Sequence, residues 1–336
     1  MGLQSYPKLT SIPDSVDYVI VAIPARFMLD LLDECAAKGV KAVQIFTAGF
    51  SETGEDEGKK LENEMTKRAK EGGFHIIGPN CIGIYSPDHR IPYGPMYFEA
   101  EAGSVGFLSH SGGVAGHLID DGIRRGVRFS KVVSFGNGCD LDNCDYLEYF
   151  AVDHETRIIG AYLEGAKDSR RLLHQIKEIS KIKPMVIWKG GRTQAGSHTA
   201  ASHSGSMAGS EIIWKAAMKQ AGAIKVESHE ELVDTILALL HLSWFEGNRV
   251  AVIAGLYGGG GGACVASSDA FTSEGLEVPP FTDETRSELR TILPEAGCIL
   301  RNPLDVGSIG GILELLNRSI ELVLADRLID ILIIQV

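Results

Sequence analysis

Short β-branched apolar runs alternate along the chain with longer stretches whose apolar residues recur every three or four positions. Tyr18–Ile23, Ala42–Phe46 and His75–Ile77 are the first such runs. Runs this short, with little polar alternation, predict strands buried on both faces, as in a parallel sheet. Between them, Phe27–Lys38 stops at Gly39 and the charged stretch Gly58–Glu71 stops at Gly72-Gly73, which predicts two helices. A second series begins near Gly103. Its predicted strands are Ser104–Leu108, Val132–Phe135, Arg157–Leu163, Met185–Trp188 and Ala223–Val226. Its predicted helices are Val114–Arg125, Cys144–Val152, Ser169–Ser180, Ile212–Gln220 and Glu230–Leu242. A third series opens with the strand Val250–Ala254. Helices over Ala263–Glu274, Asp283–Leu293 and Ile312–Leu324 follow, with a turn at Arg301–Asp305 and an apolar strand at Ile329–Val336. Strand–helix alternation of this kind predicts doubly wound α/β domains.

Rossmann-type domains open with a strand and a glycine-rich turn that cradles phosphates. Nothing of that kind precedes Tyr18, so the first domain is expected to lack its usual front part. The run at Ile329–Val336 has no following element, so the last domain is expected to be cut short.

The 44% apolar content of the 336 residues supports real cores. A net charge of −12 argues against a nucleic-acid surface, which needs a basic face, but leaves room for a local anion pocket. The six cysteines form no CxxC pair and have no histidines at metal spacing, so no metal site is expected. They read as free thiols of a reducing compartment. No signal-peptide pattern is visible and no apolar run approaches the ~18 residues a membrane span needs, so a cytoplasmic setting is expected.

Ligands of open α/β sheets bind at the carboxyl ends of the strands. In the second series the loops Ser109–Gly113, Gly136–Asp142, Glu164–Lys167 and Gly190–Gly209 fall there. Ser109-His110-Ser111-Gly112-Gly113 places small residues where a helix begins, which suits an anion, although an ordinary serine cap fits the same residues. Glu164 closes an apolar strand and could orient a histidine and stabilise its charged form; a solvated strand end is the plain alternative. Residues 199–210 surround His203 with Gly, Ala and Ser, so this loop can approach a ligand closely and move. His198 is its rival; His110 is a possible site neighbour and His117 a helical residue. The glycine run at 258–262 matches neither the lysine-bearing phosphate loop nor GxGxxG with a downstream acid.

Taken together these motifs resemble the ADP/GDP-forming acyl-CoA synthetase superfamily, which includes the succinyl-CoA synthetase α subunit and, closer, the ADP-forming acetate–CoA ligases. The resemblance rests on VAIPARF (21–27), Thr47-Ala48-Gly49-Phe50, IIGPNCIGIYSP (76–87), SVGFLSHSGG (104–113), FGNGCDLDNCDYLEYFAVDHET (135–156), YLEG (162–165) and AASHSGSMAGS (200–210). It implies a partial Rossmann-like CoA-binding domain over residues 1–98 and two flavodoxin-like doubly wound parallel-sheet domains over 99–245 and 246–336, the last incomplete. It places His203 at the phosphorylated histidine and Glu164 at the glutamate that holds it. Ser109, Ser111, Gly112 and Gly113 fall in the phosphate-binding turn. Phe46, Thr47 and Ala48 fall at the CoA contact, with Asn80 and Cys81 near the thiol end.

The reaction implied is acyl-CoA + phosphate + ADP to carboxylic acid + CoA + ATP, through an acyl phosphate and a phosphohistidine. The cofactors implied are CoA and ADP/ATP with Mg²⁺, the nucleotide bound mainly by an ATP-grasp partner or fused module, in an oligomer. Gly116 stands where succinyl-CoA synthetases tend to carry a tyrosine, which weakens succinate as substrate. The missing front part leaves a second reading open, a truncated or regulatory CoA-binding relative without activity. A nicotinamide dehydrogenase would need GxGxxG after its first strand, and none exists.

Overall fold

The apolar runs become parallel strands because each offers β-branched or aliphatic residues on both faces. The computed structural model describes residues 2, 4–94, 100–193, 196, 211–242, 246–256, 260–307 and 312–335. Met1–Leu242 and Ser243–Val336 form two compact units.

The first unit holds two sheets. The smaller runs β1 (Tyr18–Val21), β2 (Ala42–Ile45), β3 (His75–Ile77) in that spatial order, all parallel, with Val19 opposite Val43 and Val43 opposite Ile76. Helix α1 (Met28–Lys38) buries Met28, Leu32 and Cys35, one stripe at helical spacing. It ends where Gly39 takes the left-handed conformation, φ 75°. Helix α2 (Asp56–Gly72) buries Met65 and Ala69 against the same core.

The larger sheet contains β4 (Gly83–Tyr85), β5 (Val105–Ser109), β6 (Phe129–Ser134), β7 (Ile158–Leu163), β8 (Met185–Lys189) and β9 (Ile224–Val226). Their order is β4-β6-β5-β7-β8-β9. Leaving out β4, this is the flavodoxin-like order 2-1-3-4-5. The chain therefore reverses direction between β5 and β7, and the loops leaving those strands flank the resulting crevice. All five residues of β5 are buried. Helices α3 (Gly112–Arg124), α4 (Asn143–Val152), α5 (Ser169–Ile179), α6 (Glu211–Ala221) and α7 (His229–His241) connect and cover the strands. An aspartate capping box starts α4, with Asp142 and Asp145 satisfying each other's backbone N–H groups.

In the second unit β10 (Val250–Ala254), fully buried, pairs in parallel with β11 (Leu304–Asp305) and β12 (Ile331–Ile334). Helices α8 (Gly260–Ser273), α9 (Asp283–Ile292) and α10 (Leu313–Leu324) accompany them. The buried Asn302 amide accepts from Val252 N–H (3.1 Å) and donates to the carbonyls of Val250 (2.7 Å) and Pro279 (2.8 Å).

Two short strands depart from the expected pattern. β4 pairs antiparallel with β6, an edge strand too brief to show periodicity. The expected turn at Arg301–Asp305 yields its last two residues to β11, because they pair with Ile253 and Ala254. Helix α8 also begins earlier than expected, at Gly260 inside the glycine run.

Gln44, buried on β2, ties the first sheet to the second. Its amide donates to the Ile82 carbonyl (2.7 Å), and its oxygen accepts from Ile84 N–H (3.2 Å) and the Tyr18 hydroxyl. Gln44→Ala strands three polar groups at this junction. Denaturant unfolding should show a loss of about 1–3 kcal/mol. An unchanged midpoint would contradict the bridging role.

Candidate functional site

The site grows from the carboxyl end of β5. Ser109 is fully buried, and its hydroxyl donates to the Ser111 carbonyl (2.7 Å) while accepting from Ser111 N–H (3.1 Å). This tight turn sets Ser111 as the cap of α3, where its hydroxyl accepts from Val114 N–H (3.4 Å). No acidic residue occupies the first turn of α3. The positive end of the helix, with N–H groups that intrahelical bonding does not use, therefore meets no carboxylate from its own first turn. Gly112 has no room for a side chain, since a Cβ would come within 2.6 Å of Ile82 Cγ1.

Ile82 belongs to the loop after β3, which the first sheet delivers to the same place. Asn80, in the left-handed region at φ 56°, donates its N–H to the Thr47 carbonyl (3.0 Å). The Thr47 hydroxyl donates to the Ile23 carbonyl (2.7 Å). The turns after β1, β2 and β3 are thereby joined.

A cavity of about 380 Å³ opens where these turns meet the start of α3. Phe46, Thr47, Ala48, Asn80 and Cys81 line it from the first sheet. Ser111, Gly112 and Gly113 line it from the second, with Ile82 and His110 completing the wall. The structure thus gathers nine of the residues selected from sequence around one space: all five CoA candidates, three phosphate candidates and the neighbour His110. Ser109 lies beneath it as support. The Cys81 thiol faces the carbonyls of Ile45 (3.6 Å) and Ile77 (3.5 Å), and burial pushes it far above the ordinary thiol range. It is a wall of the cavity and no nucleophile at neutral pH.

Glu164 follows β7 and is 4% exposed. Its N–H donates to His110 Nδ1 (3.3 Å), while His110 N–H donates to the Tyr162 carbonyl (3.2 Å). Lys189, at the end of β8, donates to the Glu164 carbonyl (2.7 Å) and to the Gly190 carbonyl. Burial holds the Lys189 ammonium below its usual range, and the nearby charges of Glu164 and Glu211 partly oppose this. The Tyr162 phenol is pushed upward, first by burial and then by the charge and hydrogen bond of Glu164. Gly190 permits this crowding, since a Cβ there would lie 2.5 Å from the Tyr162 hydroxyl. Asn143, buried on α4, donates to the Gly165 carbonyl (3.3 Å).

His203 and His198 lie outside the described residues. So do residues 257–259 of the second unit's glycine-rich stretch; Gly260–Gly262 form the first turn of α8. Among the described residues no group of three or more His, Cys, Asp or Glu side chains is arranged to hold a metal ion. Sequence reasoning passed over Lys189, although a lysine closing the apolar run Met185–Trp188 carries the same signal that singled out Glu164.

Residues 102–239 match the family described as succinyl-CoA ligase like flavodoxin domain, and residues 1–87 match the CoA binding domain family. The chain is 38% identical over 333 residues to the alpha subunit of ADP-forming acetate–CoA ligase II from Pyrococcus furiosus, covering 99% of this chain and 71% of that one. It is 35% identical to ADP-forming acetate–CoA ligase I from Archaeoglobus fulgidus, covering 99% of this chain but 47% of the relative. Among solved structures, a dinucleotide-forming acetyl-coenzyme A synthetase 1 from Candidatus Korarchaeum cryptofilum, in complex with phosphate and ADP, superimposes with a TM-score of 0.85 at 32% identity. That match covers 99% of this chain and 70% of the other.

The buried thiol yields a prediction. Iodoacetamide at pH 8 should leave Cys81 unmodified in the native protein, by roughly 10²-fold in rate relative to the unfolded chain. Peptide mapping reads this directly, and rapid native labelling of Cys81 would contradict the assigned environment.

Proposed function

The chain belongs to the ADP-forming acetate–CoA ligase family as an alpha-type chain, and on that premise we propose how it divides the reaction acyl-CoA + phosphate + ADP to carboxylic acid + CoA + ATP among its residues. The observation that carries the reading is the cavity shared by Phe46, Thr47, Ala48, Asn80 and Cys81 with Ser111, Gly112 and Gly113. The first group receives the CoA thioester; the second receives phosphate at the start of α3. Holding the two together makes their encounter effectively intramolecular.

A phosphate oxygen attacks the thioester carbonyl carbon, the C–S bond breaks, and the phosphate proton leaves with the CoA sulfur. His203 then takes the phosphoryl group as a neutral imidazole, releasing the carboxylate, with Glu164 orienting the ring and stabilising its charge. The Gly/Ser-rich segment around His203 carries the group to ADP. The nucleotide and Mg²⁺ belong to an ATP-grasp partner or module, so the active form is an oligomer or a larger assembly. An acetate-like acid is the substrate class, and the reaction can run in either direction. The proposed domains are 1–98, 99–245 and 246–336; the family matches at 1–87 and 102–239 support the first boundary. All six cysteines are unpaired, which supports the reducing cytoplasm. No helix among the described residues is long and apolar enough to cross a membrane.

The test is incubation with labelled ATP, Mg²⁺ and the ATP-grasp partner, followed by mapping of acid-labile, base-stable label. Label should fall on the peptide containing His203. It should vanish in His203→Ala, persist in His198→Ala, and drop by about 10²–10⁴-fold in rate in Glu164→Gln. Equal loss from both histidine variants would sink the assignment of the carrier.

A further inference from the structure

We propose that Lys189 is a positioning residue for the phosphoryl half of the reaction, its ammonium holding the Glu164 backbone and the first residue of the His203-bearing loop in one arrangement. The inference rests on the reading of Glu164 and His203 as the carboxylate and imidazole of that half. A lysine is almost never fully buried unless its ammonium has partners to replace water. Lys189 is 2% exposed. Its Nζ donates to the carbonyls of Glu164 (2.7 Å) and Gly190, so the charge is directed at two backbone groups at the carboxyl ends of adjacent strands.

Those strand ends part at this point. Leu163 and Lys189 are the last partners of the β7–β8 ladder, and Gly190 N–H adds a bond to the Leu163 carbonyl (2.9 Å). Beyond them one strand leads to Glu164 and the other into the loop that carries His203. The Glu164 side chain passes close to Gly190, where a Cβ would sit 3.0 Å from Glu164 Cγ and 2.5 Å from the Tyr162 hydroxyl. The Tyr162 hydroxyl is hydrogen-bonded to the Glu164 side chain. Glu164 is therefore packed against the first residue of the loop, and Lys189 binds the backbone of both.

The ammonium also meets the helix that follows the loop. It lies 5.7 Å from the centre of the Trp214 ring, on the first turn of α6, within cation–π range. Burial disfavours the ammonium, and the charges of Glu164 and of Glu211, the first residue of that helix, favour it. One cation thus reaches the backbone where the loop departs and the helix at which it ends. A neutral side chain of similar length would fill the space without binding the two carbonyls. The root of the loop is then free to shift against Glu164, and a displacement of about 1 Å can lower a rate by about 10²-fold. Lys189 gives and takes no proton or phosphoryl group, so the transfer from ATP to the imidazole nitrogen, with ADP as leaving group, keeps its balance.

The same contacts would also suit a lysine that only stabilises the strand ends, and the experiment separates the two roles. Lys189→Met keeps the stem and removes the donors. Lys189→Ala removes the stem as well, beside a cavity of about 200 Å³ that Lys189 lines together with Gly165, Trp214 and Met218. That volume is several times the ~30 Å³ share of one water, so it has room for propylammonium, which replaces the atoms removed. Each variant, assembled with the ATP-grasp partner, is measured in two half-reactions. Labelling of the protein from ATP reports the phosphoryl half. Arsenolysis of acetyl-CoA, followed by release of free thiol without nucleotide, reports the acyl half.

Labelling should fall by about 10²-fold in Lys189→Met and in Lys189→Ala, while arsenolysis changes by less than about threefold. Propylammonium should raise labelling of Lys189→Ala by about tenfold or more, and propanol, of similar shape without the charge, should not. Labelling of Lys189→Met at the wild-type rate, equal loss of both half-reactions, or equal recovery with propanol would overturn the proposal while leaving the reading of Glu164 and His203 intact. If the wild-type assembly takes no label on the His203 peptide, that reading falls, and this proposal with it.

Discussion

The turn after β6 and the loop after β3 approach each other so closely that Gly136 has no space for a Cβ beside the carbonyl oxygens of Pro79 and Asn80. Gly136 also takes φ 53°, a conformation most other residues resist. The rest of the site depends on this backbone contact, because it brings the loop after β3 to the carboxyl edge of the second sheet. Asn137 N–H donates to the Pro79 carbonyl (3.0 Å), and its side chain donates to Glu62 (2.9 Å) and Glu52 (2.6 Å) from the first sheet's side. Burial alone would raise the Glu52 carboxyl, but the Asn137 hydrogen bond, together with backbone N–H bonds from Gly49 and Phe50, holds it below the ordinary carboxylate range. Cys139 N–H adds a bond to the Gly78 carbonyl (2.9 Å). Backbone and amide groups thus fasten the joint, and buried polar groups satisfied in this way specify one arrangement.

A net charge of −12 is compatible with the proposed phosphate site. None of the described residues lining the cavity carries a carboxylate, and the α3 terminus supplies partial positive charge. Some of the chain's carboxylates are paired on helices, as half-buried Asp145 and exposed Glu148 are with Arg171. Glu164 is one of the buried carboxylates, with Glu62, Asp305 and Asp326, and it is sunk at the end of β7. Its neighbour Lys189 binds the backbone on which Glu164 sits and also the first residue of the loop that leads to His203. One ammonium therefore fastens the ends of β7 and β8.

The strands were legible because buried parallel strands leave uninterrupted apolar runs, and most predicted boundaries fall within two or three residues of those observed. β4 and β11 were hidden because Gly83 and Pro303 break the apolar stretches around them, where β3 and β9, also short, follow the glycines that close a helix. The cavity residues could be read because glycines, prolines and a serine cap mark strand-to-helix turns. Gln44 could not: a polar residue within Ala42–Ile45 declares no partner, and its meaning comes from Ile82 and Ile84, 38 and 40 positions away. The bond of His110 Nδ1 to the Glu164 N–H was illegible for the same reason, since its donor lies 54 positions along the chain.

The central claim is that turns from two sheets make one binding site for CoA and phosphate. Hydrogen–deuterium exchange of the native chain, with and without CoA and inorganic phosphate, tests it most directly. The account predicts slowed exchange in segments 46–48 and 80–82 on adding CoA, and in segment 111–114 on adding phosphate. Binding of both ligands with unchanged exchange in all three segments would contradict it.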